Sequence, residues 1–287
     1  MKLFCFGLGY SARALTKVLP DTEVVATARS DEAMERLVSE GIRNVLFDGN
    51  GPLPDGALDG VTHVLASVPP GDDGDPVVRH CAEQLHQAMD IRWVGYLSTT
   101  GVYGDHQGGW VDETTALTPA GNRGARRVLA ERQWTDLFAN RPEVTVQVFR
   151  LAGIYGPGRN QFNAIRQGTA RRLVKAGQVF SRIHVEDIAS VLKASIDRPR
   201  DGAAYNVCDD EPAPPQDVVA FAADLLDVVP PPEVAFEEAD LSPMARSFYG
   251  ESKRVSNRLI REELGVSLKY PNYRDGLTAV AKAEGLL

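Results

Sequence analysis

The chain has 287 residues, 43% of them hydrophobic, and a formal net charge of −8. That length can bury one large core, or a large core with a smaller lobe, without disulfide or metal staples. The acidic balance gives no general attraction to nucleic acid or to an anionic membrane, which are held through clustered Lys and Arg.

Cys5, Cys81 and Cys208 lie far apart and the five histidines are scattered. There is no Cys-x-x-Cys pair and no His-Glu-x-x-His helix, so neither a metal site nor dithiol chemistry is expected. The amino terminus runs from Lys2 through a short apolar stretch straight into glycine, unlike the graded segments of a secretion signal. No run reaches the roughly 20 apolar residues that span a bilayer. The expectation is a soluble, cytoplasmic protein.

Apolar runs of strand length alternate with helix-period segments through the first half. Strands are predicted near residues 2–6, 23–27, 44–47, 61–67, 93–98 and 144–150, with helices at 11–19, 31–39, 77–90 and 121–139 between them. The pattern is that of a doubly wound α/β domain around a parallel sheet. The second half is broken by Pro157, Pro199, Pro212, Pro214, Pro215 and the run 230–232. Helices there are predicted at 185–196, 216–226, 256–263 and 274–283. The division expected is a dinucleotide-binding domain over 1–153, to which segments of about 179–207 return, and a smaller C-terminal α/β substrate lobe, mainly 154–287.

Directly after the first strand the chain reads Gly7, Leu8, Gly9, Tyr10, Ser11, Ala12 and enters a helical pattern. This fits the Gly-x-Gly-x-x-Gly/Ala fingerprint of a Rossmann-type fold: Gly7 makes the tight turn, Gly9 lets backbone approach a pyrophosphate, and small Ala12 lets helix and strand come close. The phosphates would meet a helix N-terminus, which favours negative charge. At the end of the second strand, where an NAD site presents Asp or Glu, the chain offers Arg29 and Ser30, suited to a 2′-phosphate. NADP is the cofactor expected, with NAD the alternative; Arg29 as a solvated strand-end residue is the plainer account. Asp48 is a candidate adenine contact or the cap of its own turn.

Several ordered segments then carry a resemblance. Residues 97–104 read Leu-Ser-Thr-Thr-Gly-Val-Tyr-Gly, 149–159 contain Ile-Tyr-Gly-Pro-Gly-Arg, 183–188 read Ile-His-Val-Glu-Asp-Ile, and 205–207 read Tyr-Asn-Val, with 253–257 as a C-terminal element. Over nearly its whole length the chain resembles the extended or atypical short-chain dehydrogenase/reductase superfamily, in its NAD-dependent epimerase/dehydratase branch. The resemblance adds Ala66, Ser67 and Val68 to the cofactor-binding candidates. It places Thr99 as the hydroxyl that holds the substrate oxygen, with Tyr103 as a further catalytic candidate.

The family's Tyr-Gly-x-x-Lys-x-x-x-Glu helix aligns with residues 123–131, where Arg123 and Arg127 replace the catalytic tyrosine and lysine. A guanidinium stays protonated and cannot serve as an acid/base near pH 7. It can bind: one helical turn apart, Arg123 and Arg127 are candidates to hold an anionic substrate, or both lie on a solvated basic face. Tyr103, Tyr155 and His184 are other candidate proton donors, each with a structural alternative; Tyr155 is also a candidate substrate contact. Asp187 reads as a helix-start carboxylate.

Two functions follow. One is an NADP-dependent oxidoreductase or epimerase-like enzyme on a sugar-nucleotide or other small hydroxyl or carbonyl substrate, with non-standard catalytic residues. The other is a catalytically silent NAD(P)-binding sensor. A Rossmann-like domain with no cofactor fits Gly7, Gly9 and Arg29 less well. The partner expected is a small molecule, with no nucleic acid and no membrane; a homodimer is compatible with the sequence.

Overall fold

The computed structural model describes residues 1–287, the side chains of residues 243–245 excepted. Its principal sheet has seven parallel strands: β1 (Lys2–Phe6), β2 (Glu23–Ala28), β3 (Arg43–Leu46), β4 (His63–Ala66), β5 (Trp93–Thr99), β6 (Thr145–Leu151) and β7 (Ala204–Val207). Their order in space is β3-β2-β1-β4-β5-β6-β7. The helices that matter here are α1 (Tyr10–Lys17), α2 (Asp31–Ser39), α3 (Pro76–Gln87), α4 (Asn122–Leu137), α5 (Val185–Asp197), α6 (Pro215–Leu225) and α7 (Tyr273–Ala283).

Strands covered on both faces need apolar residues at every position, and β1 shows why. Its Leu3 and Cys5 enter one core with Ala12 and Leu15 of α1 and Ile188, Val191 and Leu192 of α5. Phe4 and Phe6 point the other way, into a core closed by Val77, Cys81 and Leu85 of α3 and Ala130 and Trp134 of α4. Helix starts follow local capping chemistry: Ser30 accepts from the Ala33 N–H to open α2, and Asp75 accepts from the Val77 N–H with Pro76 in the first turn of α3.

The chain leaves β1 toward β2 on one side and, after β3, crosses to β4 on the other. The boundary between β1 and β4, where the direction of winding reverses, is the place at the carboxyl end of the sheet where such folds hold a ligand crevice. Beyond β6, short parallel pairs form outside the sheet, Gly153–Tyr155 with Arg182–His184 and Arg172–Val174 with Glu233–Ala235. Tyr155, Phe162, Val218, Ala222, Tyr273 and Leu277 make a third core there.

Two predicted elements are corrected. Residues 256–263 are not one helix: Arg254–Val255 pairs with Trp110–Val111, and only Arg258–Glu262 is helical. Between them the Asn257 amide is drawn away to the Cys208 carbonyl and Asp210, at 2.9 and 2.7 Å. The helix predicted to reach residue 90 stops at Gln87, where Arg141 Nη1 donates to the carbonyls of His86 and Ala88 at 3.0 and 3.1 Å. Among the described residues no helix is long and apolar enough to cross a membrane.

Asp187 ties α5 to the segment that leads into α7. It lies in the first turn of α5, fully buried, and accepts the backbone N–H groups of Lys269 and Tyr270 at 2.7 and 3.0 Å. Asp187→Ala strands both donors, each worth about 1–3 kcal/mol when unsatisfied. We predict a lower urea midpoint at unchanged denaturant slope, corresponding to a loss of about 2–4 kcal/mol.

Candidate functional site

The crevice is shaped first by the turn after β1. Gly7 sits at φ +81°, its N–H donates to Thr27 Oγ1 at 2.9 Å, and its carbonyl accepts from Ser67 Oγ at 2.8 Å. Two neighbouring strands thus hold the turn open, β2 through Thr27 and the end of β4 through Ser67, which follows Ala66. A Cβ on Gly7 would lie 3.0 Å from Ser67 Oγ and 3.8 Å from Val68 Cγ2, so both the backbone angle and the space call for glycine. Thr27 was missed from sequence, although a lone hydroxyl in the apolar run of β2 was the available signal.

Gly9 caps α1 from extended backbone, and no side chain accepts from the first turn of the helix. A Cβ built on Gly9 meets no atom beyond its chain neighbours within 4 Å, so the space on that side of the turn is open. Ala12 is buried against the sheet, Ser11 is nearly so, and the bulk of Tyr10 turns aside to donate from its hydroxyl to the Pro157 carbonyl at 2.9 Å. An uncapped helix start fronted by open space fits a pyrophosphate.

Arg29 is exposed just past the end of β2, and among the described residues no hydrogen bond or ion pair engages it. Ser30 beside it accepts the Ala33 N–H at 3.3 Å, leaving its own proton to donate. Asp48 accepts from Asn50 N and Nδ2 at 2.9 and 3.1 Å, bonds that hold its carboxyl below the usual range. It caps its own turn.

At the other end of the crevice Thr99 closes β5, opposite Leu151 of β6. Its Oγ1 accepts from the Gly101 N–H at 3.2 Å and so starts a short helical turn over Thr100–Tyr103. Helix α4 presses on that turn: a Cβ on Gly124 would lie 2.7 Å from the Gly101 carbonyl oxygen and 2.6 Å from Pro119 Cβ. The two arginines, candidates to hold an anion together or to share a solvated face, are parted. Arg123 is exposed, its guanidinium carbon 5.1 Å from the Phe248 ring centroid. Arg127 turns under the helix, donating from Nη1 to the Leu97 carbonyl at 2.6 Å and to the Tyr96 hydroxyl at 3.2 Å.

The tyrosines are committed elsewhere, and the histidine through one ring nitrogen. Tyr103 is fully buried, accepting from Arg150 Nη1 at 2.9 Å and donating to Asn206 Oδ1 at 2.8 Å; burial pushes its phenol up to about 12. Arg150 in turn pairs with buried Glu131 of α4 at 2.9 Å, which also accepts from Ser98 Oγ. Tyr155 lies in the third core, its hydroxyl 3.4 Å from the Asn272 carbonyl and its phenol raised by burial. His184 caps α5, its Nδ1 accepting from the Glu186 N–H at 3.2 Å, which places its proton on Nε2. Burial lowers its pKa to about 4.

No family model matches the chain. The structure of a functionally unknown conserved protein from Silicibacter pomeroyi is 55% identical, covers 99% of each chain and superposes with a TM-score of 0.90. Protein YeeZ of Escherichia coli K12 is 34% identical over 179 residues, 62% of this chain and 58% of that protein, so the match spans less than two thirds of the length of the curated relative. MoeE5 in complex with UDP-glucose and NAD shares the fold at 20% identity, with both chains fully covered and a TM-score of 0.75.

His184 gives a pH prediction. Its folded pKa lies below the ordinary histidine value, so between about pH 6.5 and 4 the unfolded chain binds the proton first and stability falls with falling pH. His184→Asn keeps a helix cap and removes that titration. Urea midpoints at pH 7 and 5 are expected to differ less in the variant than in the parent.

Proposed function

We propose a function from the premise that the chain belongs, with the Silicibacter pomeroyi protein, to one family built on the NAD-dependent epimerase/dehydratase-like, extended short-chain dehydrogenase fold. It binds a nicotinamide dinucleotide across the crevice and acts as an oxidoreductase or epimerase-like enzyme on a sugar-nucleotide or other small hydroxyl or carbonyl substrate. The observation that carries this reading is the uncapped start of α1 behind Gly9, with open space before it. In this reading the pyrophosphate takes the first-turn N–H groups, and Ala66, Ser67 and Val68 line the far side of the turn. Arg29 and Ser30 favour NADP through a 2′-phosphate; NAD, which MoeE5 holds, is the alternative.

The bound dinucleotide supplies a hydride donor or acceptor. Thr99 holds the substrate oxygen at the end of β5. Arg123 stands one helical turn before Arg127, at the position of the family's tyrosine, and contributes fixed positive charge that stabilises oxyanion character as a carbonyl is reduced. It keeps its own protons, so water provides the one that completes the alcohol. Tyr103 we assign to the buried Arg150–Glu131 network and Tyr155 to packing, leaving neither to move a proton.

The commitment of Tyr103 and Tyr155, with the lowered pKa of His184, favours a second reading, a silent dinucleotide sensor. We predict tighter binding of NADPH than of NADH, with Arg29→Ala weakening NADPH by roughly 10- to 100-fold, as loss of a charge-assisted bond worth about 1.5–3 kcal/mol implies, and leaving NADH little changed. Equal affinities in the parent would remove the argument from Arg29. Turnover of one member of a carbonyl panel, lost in Thr99→Ala, supports the enzyme; binding with a silent panel supports the sensor.

A further inference from the structure

The turn after the Gly153–Tyr155 strand is held from two sides. Gly156 and Arg159 exchange both backbone hydrogen bonds at 3.0 Å. A Cβ on Gly156 would lie 2.5 Å from Tyr10 Oη and 2.8 Å from Val185 Cγ1, so the turn rests directly on the first helical residue of α1, whose hydroxyl it also receives through Pro157. On the opposite side Glu284, just past α7, accepts from the Gly158 N–H and from Asn160 Nδ2, both at 2.7 Å. Arg159 ends this pinned turn with its guanidinium carbon 5.9 Å from the Tyr10 ring centroid. It is exposed, and among the described residues no carboxylate pairs with it.

An arginine fixed at its base, rested on an aromatic face and left without a counter-ion is arranged for an anion that the protein does not itself contain. Tyr10 is the first helical residue of α1, so its ring links Arg159 to the uncapped helix start. We propose that Arg159 is a pyrophosphate clamp: it reaches over Tyr10 to the phosphate oxygens held by the first turn of α1, so that a residue from the second half of the chain closes on the cofactor. This rests on the dinucleotide reading of the glycine turn. Planar, charge-assisted bonds from one guanidinium to phosphate add to the backbone bonds already offered there. Arg29 serves the ribose end, Arg159 the bridge.

The two cations are separable with fragments of the cofactor. In calorimetric titrations of the full chain, ADP carries a pyrophosphate without a 2′-phosphate, and 2′-AMP carries the reverse. Arg159→Ala is expected to weaken ADP by roughly tenfold or more and leave 2′-AMP unchanged, with Arg159→Lys recovering part of the loss. Arg29→Ala is expected to show the opposite pattern. If the parent binds ADP and Arg159→Ala binds it equally well, the clamp is overturned while the glycine-turn reading stands. Equal weakening of both fragments means a distorted site and also overturns it. A parent chain that binds neither fragment overturns the dinucleotide reading and the clamp together.

Discussion

The structure's functional character depends on a helix start left unsatisfied. The first N–H groups of α1 have no side-chain cap because Gly9 offers none, and such groups need a partner from elsewhere. Around that gap the molecule spends its other resources. Thr27 and Ser67 brace the Gly7 turn, Ala12 lets α1 lie close to the sheet, and Tyr10 is drawn off toward residues 156–159. A local deficit in hydrogen bonding is thus maintained by several tertiary contacts, which is how a binding site is kept open against the tendency of polar groups to find partners.

The opposite wall of the crevice rests on a buried charge network. Glu131 of α4 and Arg150 of β6 pair inside the protein; Ser98 donates to Glu131, and Tyr103 accepts from Arg150 and donates on to Asn206. Taking two charges out of water is costly, and only such complete pairing offsets it. The network joins α4 to β5, β6 and β7, and with the close approach of Gly124 to Gly101 it fixes where Thr99 stands. Position at this wall is set by electrostatics and backbone contact together.

The sheet was largely legible because parallel strands are apolar throughout and helix-period segments separate them. β1, β2 and α2 lie where the hydrophobic periodicity places them. The glycine turn was legible for the same reason, since its requirements are local in sequence. What could not be read were partners distant along the chain. Helical spacing puts Arg123 and Arg127 on one face, but not the Leu97 carbonyl and Tyr96 hydroxyl that bend Arg127 inward. Tyr103 follows β5 in a promising segment, yet Asn206, which takes its proton, lies 103 residues away. The 256–263 segment was read as one helix, but the Ser256 N–H bonds to the Val111 carbonyl and the Asn257 amide to residues 208 and 210.

The central claim is that the space before Gly9 belongs to a ligand. Gly9→Val tests it most directly: the backbone there is extended at φ −83°, which valine accepts, and an added Cβ meets no atom beyond its chain neighbours within 4 Å. Titration of NADPH into this variant, beside its urea midpoint, should show stability within about 1 kcal/mol of the parent and binding abolished. A variant that takes up NADPH as the parent does would contradict the account.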